Sequence, residues 1–113
     1  MALGDATVIG WCDIVGNERE SKAHCGTLGM GLLPAWRGQG IGRRLLGAAL
    51  AAAWRRGFKR IELTVNTGNE RALRLYRSAG SVAEGLFRRG ARLGAGYVDV
   101  IPMALLAPDM LGG

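Results

Sequence analysis

Hydrophobic and polar positions change period several times along the chain, and each change marks an element. Residues 7–14 (TVIGWCDI) and 24–33 (HCGTLGMGLL) are rich in β-branched, aromatic and other apolar residues and predict two strands. The polar stretch 16–22 between them predicts a hairpin loop, so the two strands run antiparallel. Over 40–56 the period lengthens: Ile41, Leu45, Ala48, Ala49 and Ala52 recur at helical spacing, and Gly57 follows as a stop. Residues 60–66 (RIELTVN) alternate as a strand does. Thr67-Gly68-Asn69-Glu70 then gives a T-x-x-E capping box for a second helix, whose apolar stripe is Ala72, Leu75, Tyr76 and Ala79 and whose stop is Gly80. Residues 81–89 and 96–105 predict two more strands joined near Gly94, the last demoted to an edge or bulge by Pro102. This order of elements describes an α/β chain with a mixed sheet.

Composition narrows the class. A chain of 113 residues has room for one domain, 1–113, with a real core and no second domain. The longest apolar stretch, 45–54, is half of the roughly 20 residues a membrane span needs. The first ten residues, MALGDATVIG, lack the basic region and cleavage site of a signal peptide. The expectation is a soluble cytoplasmic protein. Two cysteines, Cys12 and Cys25, and one histidine do not make a four-ligand metal site or a disulfide scaffold, so no metal is expected.

Charge adds a direction. The net charge is +6, and residues 37–92 hold 13 basic residues against three acidic ones, Glu62, Glu70 and Glu84. Such a segment suits an anionic partner, either nucleic acid or a phosphorylated small molecule, although biased Arg-rich composition accounts for part of the excess. Glycine is also in excess, 19 residues where average usage gives about 8.

The sharpest motif is RGQGIG, residues 37–42, between a strand and the best helix. Glycines let backbone N–H groups approach an anion, and the helix N-terminus adds unpaired donors and roughly half a positive charge. Arg37, Arg43 and Arg44 lie within a turn of it. A triphosphate-hydrolysing loop would need G-x-x-x-x-G-K-[ST], and no lysine is near. A dinucleotide fingerprint G-x-G-x-x-G would need glycine at Arg43. What remains is [RQ]-x-x-G-x-[GA], filled by Arg37, Gly40 and Gly42.

With that loop in place, the sequence resembles the GNAT superfamily of acyl-CoA-dependent N-acetyltransferases over nearly its whole length. LGMGLLPAW precedes the loop; RIELTVNTGNERALRLYRSAG follows the helix, with Asn69, Ala72, Leu75 and Tyr76 filling N-x-x-A-x-x-L-Y; EGLFRR and YVDVIPMALL come after. His24, Gly29 and Met30 fill H-x-x-x-x-G-[IM], which is similar to the branch acting on amino acids and other small amines. The resemblance implies a mixed, mostly antiparallel sheet flanked by helices, and acetyl-CoA as acyl donor. It further implies that Met30, Gly31 and Leu32 pair with the pantetheine arm, that Arg37, Gly38, Gln39, Gly40, Ile41, Gly42 and Arg43 wrap the diphosphate, that Asn69 reaches the pantetheine, and that Tyr76 points at the sulfur. Read without the resemblance, Tyr76 is a core aromatic and Asn69 a helix-start residue.

Two departures matter. Ser81 stands where the family usually has an aromatic. Family domains also begin with a strand, two helices and a strand, whereas this chain starts at about the third strand; an uncovered sheet then predicts a homodimer.

Acyl transfer to an amine needs a neutral nucleophile. An alkylamine with a pKa near 10.4 is neutral in about one molecule in 2,500 at pH 7, a cost of roughly 4.6 kcal/mol, whereas an α-amine near 7.8 costs about 1 kcal/mol. Family members often carry a carboxylate base near 26–27 or near 64, but here these positions are Gly26, Thr27 and Thr64. His24 is the substitute catalytic base by pKa, with a structural strand histidine as the alternative. The expected activity is transfer of acetyl from acetyl-CoA to a primary amine of a small molecule or amino acid by direct attack, without nucleic-acid or membrane partners. The alternatives are a non-catalytic acyl-CoA-binding domain and a basic nucleic-acid-binding module.

Overall fold

A computed structural model describes residues 2–4, 7–16, 19–32 and 40–110. Nine elements follow in order: β1 (Ala2–Gly4), β2 (Thr7–Gly16), β3 (Cys25–Leu32), α1 (Ile41–Arg55), β4 (Arg60–Asn66), α2 (Glu70–Ser78), β5 (Val82–Ala83), β6 (Phe87–Leu93) and β7 (Gly96–Leu106). The seven strands form one sheet in the order β1-β2-β3-β4-β7-β5, with β6 also on β7. Only the β3–β4 pair is parallel; the others are antiparallel. The α/β class with a mixed, mostly antiparallel sheet is therefore as expected from the sequence.

The alternation that made β4 legible also fixes its faces. Ile61, Leu63 and Val65 are buried beneath both helices, in one cluster with Leu28, Leu46, Leu50, Ala53, Leu73, Met103 and Leu105. Glu62 and Thr64 point the other way. Gly26 belongs to the covered face: a Cβ there would lie 2.6 Å from Ile14 Cγ2 and 3.1 Å from Ile61 Cδ1. Its lack of a side chain is what lets β2, β3 and β4 close on each other.

Several expectations are corrected. β1 adds a strand ahead of the first one expected, pairing with β2. The predicted strand 81–89 is broken into β5 and β6, which pair with different stretches of β7. Pro102 does not mark an edge, because β7 has β4 on one side and β5 with β6 on the other. The carbonyl of Pro102 accepts from Glu84 N at 2.8 Å. N–H and C=O of one strand residue face the same neighbour, so the missing N–H is turned toward the break between β5 and β6. The second helix starts not on Thr67 but on Asn69, whose Oδ1 accepts from Ala72 N at 3.2 Å.

Candidate functional site

β3 and β4 pair only at Cys25–Arg60, Gly26–Ile61 and Thr27–Glu62. Beyond Thr27 and Glu62, β3 continues to Leu32 and β4 to Asn66, and no further pair joins them among the described residues. The sheet is thus split by a wedge about five residues deep on the β3 side, or roughly 16 Å at strand rise. Its walls carry backbone groups that a sheet would normally satisfy, which suits an extended ligand with amide groups of its own.

At the wide end of this wedge stands α1. Its N-cap is Gly40 with φ +78°, a left-handed conformation that favours glycine, and a Cβ there would meet nothing within 4 Å. Among the described residues no side chain caps the helix, and no acid lies in its first turn. Its first backbone bond is Arg44 N to Gly40 O, 3.1 Å, so the N–H groups of Ile41, Gly42 and Arg43 are left pointing outward. Gly42 has a second job: a Cβ there would be 3.2 Å from Met30 Cε and 3.5 Å from Leu75 Cδ2. This glycine locks α1 against both β3 and α2.

Tyr76 lies half-buried on α2 and packs against the core with Cys12, Met30 and Leu75. Cys12 is the β2 residue opposite Met30. Burial pushes the Tyr76 phenol above its usual value of 10, and the charge of a Cys12 thiolate pushes it the same way. The phenol is therefore a hydrogen-bond donor at neutral pH. Between α1 and α2 runs an open groove of about 450 Å³, lined by Arg43, Gly47, Ala51, Trp54, Leu75 and Ser78 among others.

Gly40, Ile41, Gly42 and Arg43 stand at the start of α1, where Gly42 approaches Met30 and Leu75. Met30 and Tyr76 pack against the same core, and Asn69 caps α2 just beyond the end of β4, its N–H donating to Asn66 O at 2.9 Å. Gly31 and Leu32 form the β3 wall of the wedge by their backbone. Arg37, Gly38 and Gln39 lie outside the described residues. His24 is not brought to Tyr76. It sits at the opposite end of β3, six residues from Met30, or about 20 Å of strand. There its Nε2 is 3.4 Å from Cys25 Sγ, and its carbonyl accepts from Lys59 N and Arg60 N. The histidine joins β3 to the start of β4, which is the structural alternative. Arg60 holds both Glu62 and Glu84 at the closed end of the wedge, Glu84 through two guanidinium hydrogen bonds and Glu62 at 3.6 Å, and Glu62 points to the sheet face away from the helices.

The profile of the acetyltransferase (GNAT) family matches residues 1–80. The chain belongs to the GNAT family. It is 39% identical over 92 residues to the N-alpha-acetyltransferase RimI of Mycobacterium tuberculosis, covering 81% of this chain and 56% of that protein. It is 29% identical over 106 residues to the L-amino acid N-acetyltransferase AaaT of Escherichia coli, covering 92% and 65%. A GNAT-family acetyltransferase of Streptococcus pneumoniae superposes with a TM-score of 0.89 at 32% identity, covering 93% of this chain and 64% of that one. The chain thus spans less than two thirds of each of these relatives.

Proposed function

We propose that this GNAT chain is an acetyl-CoA-dependent N-acetyltransferase acting on a primary amine. The observation that carries the reading is the wedge between β3 and β4 with the uncapped, glycine-started helix at its wide end. A diphosphate fits the outward N–H groups of Ile41, Gly42 and Arg43, with the Arg43 side chain adding charge. From there a pantetheine arm of about a dozen bonds spans roughly what four extended residues span, or about 14 Å, close to the depth of the wedge. The β3 backbone from Met30 to Leu32 hydrogen-bonds that arm, Asn69 lies beside it, and the groove between the helices takes the nucleotide end.

The thioester, when bound, supplies an activated acyl carbon. The amine nitrogen attacks that carbon, a C–N bond forms, the C–S bond breaks, and the proton the amine loses balances the one the thiolate needs. Tyr76 donates a hydrogen bond to the leaving sulfur; its raised pKa suits it to that role and not to removing a proton. A backbone N–H of β3 holds the carbonyl oxygen as charge develops.

The test is thiol release from acetyl-CoA across a panel of amino acids, polyamines and peptides, with CoA binding followed by calorimetry. Turnover with at least one amine is expected, and Gly40→Asp should abolish CoA binding, because it places a carboxylate where the diphosphate sits. CoA binding without turnover on any acceptor would leave only an acyl-CoA-binding domain. For quaternary structure, we also infer a homodimer. Val15 and Val82, 64% and 65% exposed, support it on the sheet face away from the helices; a monomer by light scattering at micromolar concentration overturns it.

A further inference from the structure

We propose that the outer face of α2 and the adjoining side of the β6–β7 hairpin dock a single-stranded polynucleotide through arginines and one exposed tyrosine. The inference goes beyond the acetyltransferase reading, since it concerns a surface outside both the wedge and the groove between the helices.

The ridge begins on α2. Leu73 is buried, and Leu75, Ser78 and Ala79 line the groove toward α1. The face that remains carries Arg71, Arg74 and Arg77, three residues apart and all exposed. They span about 9 Å of helix. Glu70 is the one acid on α2, and none of the three arginines forms an ion pair among the described residues. Like charges at this spacing destabilise a helix, and a bound polyanion removes that cost.

The hairpin continues the ridge. β4 ends at Asn66 opposite Val100, so the first residues of β7 run past it, and the Asp99 carbonyl accepts from Thr67 N at 3.1 Å in the turn before α2. Tyr97 is in phase along β7 with Met103, which is buried under the helices. It therefore faces the helix side, with Arg92 directly across from it. Tyr97 is 62% exposed and lies about 7 Å beyond Asp99 along the strand.

Beside it β6 bulges. Phe87 pairs with Val100 and Ala91 with Val98, so Arg88, Arg89 and Gly90 stand opposite Asp99 alone. Arg89 has φ +50°, and its N–H donates to Asp99 Oδ1 at 2.8 Å. Gly90 has no room for a side chain, since a Cβ there would be 2.8 Å from that of Phe87. The Asp99 carboxylate is thus engaged by a backbone N–H, and Arg92 is left without an ion pair among the described residues.

The charge is segregated. To the opposite face β2, β3, β4 and β7 present a single cation, Arg60, and it is bound to Glu62 and Glu84. Biased composition alone would not sort arginines by face. Their chemistry selects the occupant. α2 and β6 carry arginine and no lysine, and guanidinium forks match phosphate oxygens and stack on bases. An exposed tyrosine beside them is a platform for an unstacked base, which a single strand offers and a duplex does not. A lipid surface fits less well, because the outer face of α2 has no apolar residue to insert, and exposed Phe87 and Leu93 lie on the other side of the hairpin. This revises the expectation of a protein without nucleic-acid partners.

The experiment follows the anisotropy of a labelled oligouridylate. Affinity should fall about 50-fold between 50 mM and 200 mM salt, as about four phosphate contacts to a single strand give. Arg71→Ala with Arg74→Ala should weaken binding about tenfold at the lower salt. Arg55→Ala with Arg56→Ala removes the same charge from the end of α1 and should change it less than about twofold. Tyr97→Ala should cost about tenfold with the salt dependence unchanged, because stacking releases no counterions. Glu70→Gln should tighten binding, a gain that misfolding cannot produce. Saturating CoA should leave the oligouridylate bound. Equal losses from the two arginine pairs would mean a net-charge effect and overturn the proposal. Displacement by CoA overturns it too, by returning the arginines to the cofactor, as does tighter binding of duplex DNA or polyglutamate, or no binding at the lower salt. Thiol release is measured separately, so its absence overturns the acetyltransferase reading and leaves this surface standing.

Discussion

On the sheet face under α1 and α2, Leu28, Ile61, Leu63, Val65, Met103 and Leu105 are all buried and packed into one cluster. On the opposite face, the rung Val15–Thr27–Glu62–Ala104–Val82 crosses five strands one residue out of phase with them. Both its ends are about two-thirds exposed valines. One face is filled by large aliphatic side chains that leave each other no choice; the other alternates small, polar and charged groups. The comparison separates stability from chemistry. Residues that hold the fold point toward the helices, while the opposite face has room for an acceptor to approach the wedge.

The largest test of that division is Leu46→Ala. Leu46 is 1% exposed at the centre of the covered cluster, and its truncation should cost about 2–5 kcal/mol in denaturant unfolding. Val82→Thr on the open face should stay within about 0.5 kcal/mol in the monomer. Equal losses would mean that the two faces are not different in kind.

Tyr76→Phe breaks the division from within, because Tyr76 grows from the covered side yet is assigned to the reaction. Turnover should fall by about 100-fold while CoA affinity and unfolding free energy change little. Unchanged turnover would return Tyr76 to the role of a core aromatic. Gly26→Ala is the converse case, a change in the strand that walls the wedge but at a position assigned to packing. The 2.6 Å approach to Ile14 should cost about 1–3 kcal/mol, with little effect on KM in the protein that remains folded.

Much of the covered face was legible in the sequence, and less of the other. Period-2 alternation in RIELTVN identified both faces of β4 because the pattern is local, whereas the period of α1 was read about one residue off: Ile41, Leu45, Ala48, Ala49 and Ala52 were picked out, but Leu46, Leu50 and Ala53 are the buried ones. The motif N-x-x-A-x-x-L-Y put Leu75 and Tyr76 on the side of α2 that packs against the core. Pro102 was misread because the rule that prolines sit at edges assumes every rung is filled, and here the missing N–H faces a break between β5 and β6. Thr67 was taken for the cap because T-x-x-E (67–70) and N-x-x-A (69–72) overlap by two residues, and only the folded structure shows which oxygen accepts. His24 looked suitable by pKa, but the distance along β3 is not written in a pKa. The bulge at Arg88–Gly90 had no sequence signal beyond Gly90, since its cause, the Asp99 carboxylate, comes from the facing strand.

The smallest effect expected concerns the closed end of the wedge, where Arg60 joins the open-face residues Glu62 and Glu84. The Arg60 guanidinium holds the Glu84 carboxyl below its ordinary value of 4.5. A carboxyl depressed in the folded state stabilises the fold above its unfolded pKa, and that contribution disappears as pH falls through the folded value. Wild type should therefore melt slightly above Glu84→Gln at pH 7, and the two should converge as pH falls below about 4.5. The gap is small because the pair is largely solvated, with side-chain exposures of 26% for Arg60 and 43% for Glu84. A gap that stays constant from pH 7 to pH 3 would mean that Glu84 acts through packing and not through its charge. Then the closed end of the wedge would be held by the β3–β4 pairing and by packing, with no contribution from the Glu84 charge.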